Sequence, residues 1–490
     1  MPENDSDFDE FDISVEDEAL FHSLTNQFDH NVSPPSAEVE VGVASPTLFS
    51  KAIISSPREA PGPSNPGTSL VPSRPGTEKE DNPERERKPN NVARAEERNR
   101  SEETTEEEAD RLAMAKDSRP PIERFRTKPK KTLSVSDLTS GQWCELQYEY
   151  TLTQLPFGRR VKTKAMKGGT KVHEKLERQV HMPVKVTVTK HEDGFGLRLW
   201  NIVQGLRTLR EINLTRELEV WGLVDGNIVN GVIDHLQVDY VEPKDAGGDA
   251  AQPHITQHFS SSQSTTKGGE RRILLTDVKT TRLKPFGKGL PGGSALVQNR
   301  LQLYLYYNFI CDMADGNLDL LDIFQRYSMD PDAVFSDAYL AQVAEVHPEI
   351  FDEMMPDSSV ASKAASSATD SHVKYRTLRE MIPLYQDEMR KAFPRGSRDI
   401  VPQATIEYRN RGSGEIVGAR TLDLDSAEIQ PHLDKYMEWW YGKRPAEGVP
   451  IEEAYKCGIC DFAESCTWRE SMDQEILARA RAKLEAKMAQ

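Results

Sequence analysis

Cysteine, long apolar runs and early basic residues are all scarce in this chain of 490 residues. The five cysteines are odd in number and too few to staple so long a protein, which points to a reducing, intracellular compartment. No apolar run approaches the roughly 20 residues that a membrane-spanning helix needs, so no membrane is expected as a partner. Residues 1–50 hold no Lys or Arg and twelve acids, from Glu3 to Glu40. Secretory signals open on a basic segment, and mitochondrial transit peptides are rich in Arg and poor in acids, so neither is recognisable here. Apolar residues reach only 37% and the net charge is −17. Such a balance leaves a sizeable part of the chain unable to pack, while about 300–350 residues remain for one large core or two smaller ones.

Residues 1–130 read as a disordered, acidic and Pro/Ser-rich leader. Pro and Ser cluster from Ser33 to Pro75, and a charged tract without aromatics runs from Glu78 to Asp110. Among the acids, Phe8, Phe11, Ile13, Leu20, Phe21 and Leu24 recur. That pattern can fold as a short helix on a partner or serve only to keep the chain soluble. Order is expected over 131–470, with polar inserts near 243–270 and 357–372, and a charged helix over 471–490 closes the chain. Ser136 is the expected N-cap of a first helix. Further helices are expected over 166–181, opened by Gly168–Gly169, and over 197–214. From Arg216 the period changes to strand alternation, with Asp225-Gly226-Asn227 as a hairpin turn. The run from Arg271 to Thr281 is the next strand, and an apolar helix follows Gly292–Gly293. A second hairpin is expected over 402–424, and a helix over 427–443 carries Trp439, Trp440 and Tyr441.

Four constellations carry chemistry. Asp234 lies mid-strand, and Asp277-Val278-Lys279 places an acid and a base two apart, on one face of the following strand. Carboxylates on neighbouring strands can converge on a hard cation such as Mg²⁺, and a Lys beside them can orient a water or offset charge on a phosphate. An ordinary Asp–Lys salt bridge is the plainer alternative, but Leu274, Leu275 and Val278 make the strand apolar, so charges within it need a reason. His173 lies one helical turn before Glu177, and would be a surface or capping residue if it stood alone. Cys457-x2-Cys460-x5-Cys466, followed by Trp468, packs three thiols into ten residues and points to a metal centre one ligand short. Cys144 is the preferred fourth, Cys311 reading as a core residue. Zinc ribbons use two close pairs, so a 4Fe–4S cluster is favoured over zinc. Finally, Gly158 to Lys190 carries ten Lys/Arg against Glu174 and Glu177, which suits a phosphate backbone or else a solvated helix face. Nearby Trp143, Tyr148, Tyr150 and Phe157 either stack bases or belong to the core.

In this order the motifs resemble the RecB-type branch of the PD-(D/E)XK nucleases, and most closely the exonuclease V family. The branch's pattern is a Gly-led helix with His, a strand Asp, D-x-K and a helix with Q-x-x-x-Y. It is met here by His173, Asp234, Asp277-Val278-Lys279 and Gln302 to Tyr306. The iron–sulfur members set one Cys before the nuclease core and three after it, as Cys144 and Cys457, Cys460 and Cys466 stand here, trailed by Trp468-Arg469. The resemblance covers about Ser134 to Arg469. The long acidic leader and the two polar inserts depart from it.

The resemblance implies an α/β fold with a mixed central sheet flanked by helices, closed by a 4Fe–4S staple that is structural. It implies an exodeoxyribonuclease, dependent on Mg²⁺ with Mn²⁺ as a substitute, that prefers single-stranded DNA and serves repair or genome maintenance. His173, Asp234, Asp277 and the Val278 carbonyl would hold metal, and Lys279 would position the attacking water. Gln302 and Tyr306 would support the site or touch DNA, with Glu217 a further candidate. A monomer in the nucleus is expected, with the mitochondrion as the alternative and a single-strand binding protein as a partner through the leader. Two other classes stay open: a zinc-stapled nucleic-acid-binding module without catalysis, and a scaffold of repair complexes.

Overall fold

The computed structural model describes residues 37–44, 117–128, 130–155, 158–241, 269–283, 289–347 and 374–488. In chain order the elements are β1 (Ala37–Ala44), α1 (Pro121–Phe125), β2 (Leu133–Ser134), α2 (Val135–Thr139), α3 (Glu145–Gln154), α4 (Lys164–Glu177), β3 (His181–Val188) and α5 (His191–Ile212). The central strands are β4 (Leu214–Val224), β5 (Asn227–Val241) and β6 (Glu270–Thr281). Then come α6 (Ser294–Asp315), α7 (Leu320–Arg326), α8 (Asp337–Val346), α9 (Leu378–Ala392), β7 (Ile400–Asn410), β8 (Ile416–Asp423), α10 (Ser426–Trp440) and α11 (Thr467–Met488). The result is the expected α/β arrangement, a mixed sheet flanked by helices.

Local chemistry sets the joints. Asn213 takes the left-handed conformation (φ 61°) that ends α5 and turns the chain straight into β4. Asp225 (φ 48°) and Gly226 (φ 76°) make a two-residue turn with both central residues at positive φ, which matches the twist of the β4–β5 hairpin. That turn fixes the register, so Arg216 pairs with His235 and Leu218 with Ile233. β5 and β6 are antiparallel, β6 and β7 parallel, and β7 and β8 antiparallel.

The free edge of β5, away from β4, is shared. β2 pairs in parallel at Val229 and Asn230, and β6 pairs from His235 onward. Between them, residues 231–234 of β5 carry no ladder on that edge, while β6 continues past Thr276 alongside β7 to Thr281. The sheet therefore forks, and Asp234 sits in the fork.

Helix α6 lies against this region. Gly231 leaves room for Tyr306, since a Cβ there would meet the ring at 2.6 Å, and Gly222 leaves room for Phe309. Trp200, Trp221, Trp439 and Trp440 are each under 2% exposed and anchor the packing. Arg198 on α5 forms a buried ion pair with Glu219 on β4, with its guanidinium also 5.2 Å from the Trp221 ring centroid.

Several expected boundaries shift. The first helix breaks into α2 and α3, and its cap is Ser134 rather than Ser136. Ser134 Oγ accepts from Asp137 N–H while the Asp137 carboxylate accepts from Ser134 N–H, a reciprocal box that Ser136 cannot build. The helix expected over 166–181 begins at Lys164, capped by Thr163, and ends at Glu177, because His181 already starts β3. Gly168 and Gly169 lie inside it, where they permit close approach to Arg411 and Thr280. Helix α5 starts at His191, before Leu197. Within the leader read as disordered, Ala37–Ala44 forms β1 and pairs antiparallel with β3. The alternation of Val39, Val41 and Val43 is a strand pattern, and it outweighs the polar composition around it. The rest of residues 1–116, most of the first insert and the second insert lie outside the described residues.

Gly222→Ala tests the packing of α6 on the hairpin. The added Cβ would fall 1.9 Å from a Phe309 ring carbon. Such overpacking costs about 1–3 kcal/mol, so the denaturant midpoint should fall; an unchanged midpoint would mean that Phe309 swings aside freely.

Candidate active site

The fork gathers charged groups from four elements. Asp234 on β5 accepts a hydrogen bond from Val278 N–H at 2.6 Å, which bridges the separated strands by a side chain instead of a ladder. Helix α4 sends His173 across from the other direction. Its Nδ1 lies 3.3 Å from Glu217 Oε1 and its Nε2 lies 3.2 Å from the Val278 carbonyl. Val172 and Leu176, on α4 beside His173, pack on Val278 and hold the helix down. Among the described residues, His173, Glu217 and Asp234 are the one set of His, Cys, Asp or Glu donors that converges within 4.8 Å.

The electrostatics of the fork are set by buried carboxylates. Asp277 is 1% exposed, and burial, with the charge of Asp234 beside it, pushes its carboxyl up to about 6 against the pull of Lys279. Burial likewise raises Glu217, opposed by its hydrogen bond to His173. Glu217 Oε2 and Asp277 Oδ2 are both buried without a hydrogen-bond partner. Asp277 Oδ2 does lie 3.1 Å from Lys279 Nζ, but outside hydrogen-bonding alignment. An imidazole and two carboxylates within 4.8 Å of one another, with the Val278 carbonyl against the imidazole and Asp277 near enough for Asp234 to raise its carboxyl, form an oxygen-rich set that suits a hard divalent ion. Glu217 can accept from the Nδ1–H of His173, which would turn the Nε2 lone pair, beside the Val278 carbonyl, into the ligating group.

Lys279 is pinned rather than mobile. Its Nζ donates to Asp277 Oδ1 at 3.2 Å and to Gln302 Oε1 at 3.1 Å. Gln302 Nε2 donates to Tyr306 Oη at 3.0 Å, which fixes the amide with its oxygen toward the lysine. Burial opposes the lysine's charge, yet Asp277 and Asp234 lift its pKa above the ordinary lysine range. Lys279 therefore stays a cation and does not act as a base. His173, Glu217, Asp234, Asp277, Val278, Lys279, Gln302 and Tyr306 thus form one connected cluster, in which the Asp–Lys salt bridge and the wider site coexist.

Four thiols line a second place in the fold. Cys144, Cys457, Cys460 and Cys466 face one cavity together with Trp143, Phe462 and Trp468. Cys144 caps α3 and its thiol is pushed by burial to about 11; Cys457 and Cys460 are also raised. Beside Cys144, Glu145 receives both guanidinium arms of Arg444, and Leu146 N–H bonds to Glu447 O, so the two ends of the domain already meet there. No three of the four sulfurs converge within the 4.8 Å reached by the fork donors. Cys311 stands apart on α6, beside Tyr307.

The aromatics near Cys144 are structural. Tyr148 is half-buried against Trp439 and Trp440 and donates to Asp137, and Tyr150 packs on Phe462. Trp143 lies under the Lys456 ammonium, and Phe157 is outside the described residues. Glu217 was legible through the hairpin. Counting back from the two-residue turn at Asp225-Gly226 puts Glu217 level with Asp234, between the paired Arg216–His235 and Leu218–Ile233, although Glu217 itself leaves the strand conformation (φ 50°) and drops out of the ladder.

The family model described as exonuclease V, a 5′ deoxyribonuclease, matches residues 120–469, which hold the fork residues and the four thiols alike. An exonuclease V of Danio rerio is 24% identical over 364 residues, covering 74% of this chain and 75% of that protein. Proteins named exonuclease V, mitochondrial, are 25% identical in Eremothecium gossypii, covering 69% of this chain and 76% of the relative, and 32% identical in Candida albicans, covering 68% and 70%. The fold and the comparisons define a hydrolase of nucleic acid. The chain belongs to the exonuclease V family and is an exodeoxyribonuclease.

The raised Asp277 carboxyl gives a pH signature in metal-free protein. A carboxyl raised on folding favours the native state most below its ordinary range, near 4, and that contribution is lost as pH rises through about 6. Asp277→Asn should therefore gain stability relative to wild type between pH 4 and 7, read as the difference in Tm across a pH series. A difference that stays flat would place the Asp277 carboxyl in its ordinary range.

Proposed function

We propose that this enzyme degrades single-stranded DNA from the 5′ end with a divalent cation, Mg²⁺ or Mn²⁺, held in the fork of a RecB-type PD-(D/E)XK core. The convergence of His173, Glu217 and Asp234 within 4.8 Å, with the Val278 carbonyl against His173 Nε2 and Lys279 pinned on Asp277, carries this reading. Glu217 joins the set by holding His173 in its ligating tautomer or by ligating directly. When bound, the cation supplies charge stabilisation at the phosphate and lowers the pKa of a water.

The chain's own groups do the rest. Asp277 and Gln302 each accept a hydrogen bond from one N–H of the Lys279 ammonium, so its third N–H points where the other two do not, toward a water or a phosphate oxygen. Tyr306, buried behind Gln302, keeps that orientation without touching the strand. The basic segment from Arg159 to Lys171 leads into α4 and the fork, and supports a path for the phosphate backbone.

The four cysteines are proposed to hold a structural 4Fe–4S cluster. The single cavity lined by all four thiols, one from the start of the domain and three from its end, supports that reading. Loading it would displace the protons that burial keeps on the thiols. For location, the names of the fungal relatives support a mitochondrial pool over the nucleus. Monomeric action, and recruitment of a single-strand binding protein by the leader, remain part of the proposal on the resemblance alone.

Asp277→Ala should lower kcat on end-labelled single-stranded DNA by on the order of 10²–10³-fold or more, with binding retained. Loss of binding and cleavage together would instead make Asp277 a structural residue. In oxygen-free preparations the wild type should carry about four irons per chain, and Cys144→Ser should lose them. One zinc per chain in their place would overturn the cluster.

A further inference from the structure

The four-thiol cavity has a charged wall. Lys456 and Arg469 both line it beside Cys144, Cys457, Cys460 and Cys466. Arg469 is exposed and donates to the Ala463 carbonyl at 2.9 Å, whereas Lys456 is only 2% exposed. An ammonium taken out of water is costly unless its surroundings answer it. Its place in the chain shows what it joins. Lys456 directly precedes Cys457, and Trp143 directly precedes Cys144. The Lys456 ammonium donates to the Trp143 carbonyl at 3.0 Å and lies 5.5 Å from the centre of the Trp143 ring. The two arms that carry the thiols are therefore tied to each other one residue ahead of their sulfurs. Cys144 is fixed from its other side as the cap of α3, its Sγ accepting from Gln147 N–H at 3.5 Å.

An ammonium has three N–H donors. Trp143 O takes one, and Glu453 Oε2, at 2.7 Å, takes another. The side chain is 3% exposed, so bulk water is no partner for the third, and the cavity that Lys456 lines is where an acceptor can meet it. Glu453 offsets part of the charge. Its own side chain is 29% exposed, however, so water screens the carboxylate more than the ammonium. Four thiolates outweigh the positive charge of a zinc ion or of an iron–sulfur core, so a loaded centre is an anion rich in sulfur acceptors.

We propose that Lys456 is a positioning and charge-compensating residue of the four-thiol centre. It holds Trp143, and with it Cys144, against the segment Cys457–Cys466, and it gives its remaining N–H to sulfur of the bound group. Lys456 has this role only if the four cysteines hold a metal centre, as proposed above. Net charge and hydrogen bonds to sulfur set the reduction potential of an iron–sulfur centre, so the potential reports the role although no redox turnover is invoked.

The test uses the full chain purified without oxygen, with iron and zinc measured per chain and the potential of the centre read from its visible absorbance. Lys456→Met keeps a stem of similar length but neither the charge nor the donors. It should make the centre about tenfold harder to reduce, a potential about 59 mV lower for one electron, and release iron to a chelator about tenfold faster. Glu453→Gln removes the offsetting charge and should raise the potential. Folded Lys456→Met protein with the wild-type potential and release rate would overturn the role. So would a fall in potential in both variants, since a loosened junction alone moves both the same way. Should Lys456→Met fail to fold, Glu453→Gln at its half-buried position decides alone, and an unchanged or lowered potential overturns the role. Zinc in place of iron would sink the iron–sulfur reading but not this role, which then requires faster zinc release from Lys456→Met and is overturned by an equal rate. A wild type that binds neither metal would sink the centre and the role with it.

Discussion

The separation of β5 from β6 is the constraint on which the other features turn. Beyond His235 and Thr276 the two strands no longer share a ladder, and the opening is spanned by the Asp234 carboxylate on the Val278 amide. A continuous antiparallel ladder would bury these groups as backbone pairs and leave no gap for a ligand. The divergence is possible because β6 takes its pairing from β7 while β2 takes the far end of β5, so few backbone groups lose a partner in a buried place.

Opening the sheet brings like charges together, and the surrounding elements are arranged to bear that. Lys279 answers Asp277, His173 answers Glu217, and helix α6 supplies Gln302 and Tyr306 to keep the lysine in line. The four cysteines sit apart, where Arg444, Glu145 and Glu447 already join the ends of the domain, so a cluster there would lock a junction that side chains have begun.

Much of this was legible in the residues. Asp234, Asp277 and Lys279 are charges within apolar strands, and such exceptions to the burial pattern mark a site from composition and alternation alone. His173, Gln302 and Tyr306 needed the family pattern, because each alone reads as an ordinary helical residue. The Asp225-Gly226 turn sets the register that brings Glu217 opposite Asp234, although its weight as a ligand shows only once His173 arrives from α4. Helix ends were less legible, since caps such as Ser134 and Thr163 compete with equally plausible neighbours and are chosen by tertiary fit.

Catalysis as proposed stands or falls on one divalent cation in the fork. Crystals of the full chain grown with Mn²⁺ and a short single-stranded oligonucleotide, and measured for anomalous scattering at the manganese edge, would locate it. The expected peak is bonded to His173 Nε2, Asp234, Asp277 and the Val278 carbonyl, with Lys279 Nζ facing the phosphate beside it. A peak elsewhere, in a crystal whose DNA runs through the fork, would mean that these residues do not hold the catalytic metal.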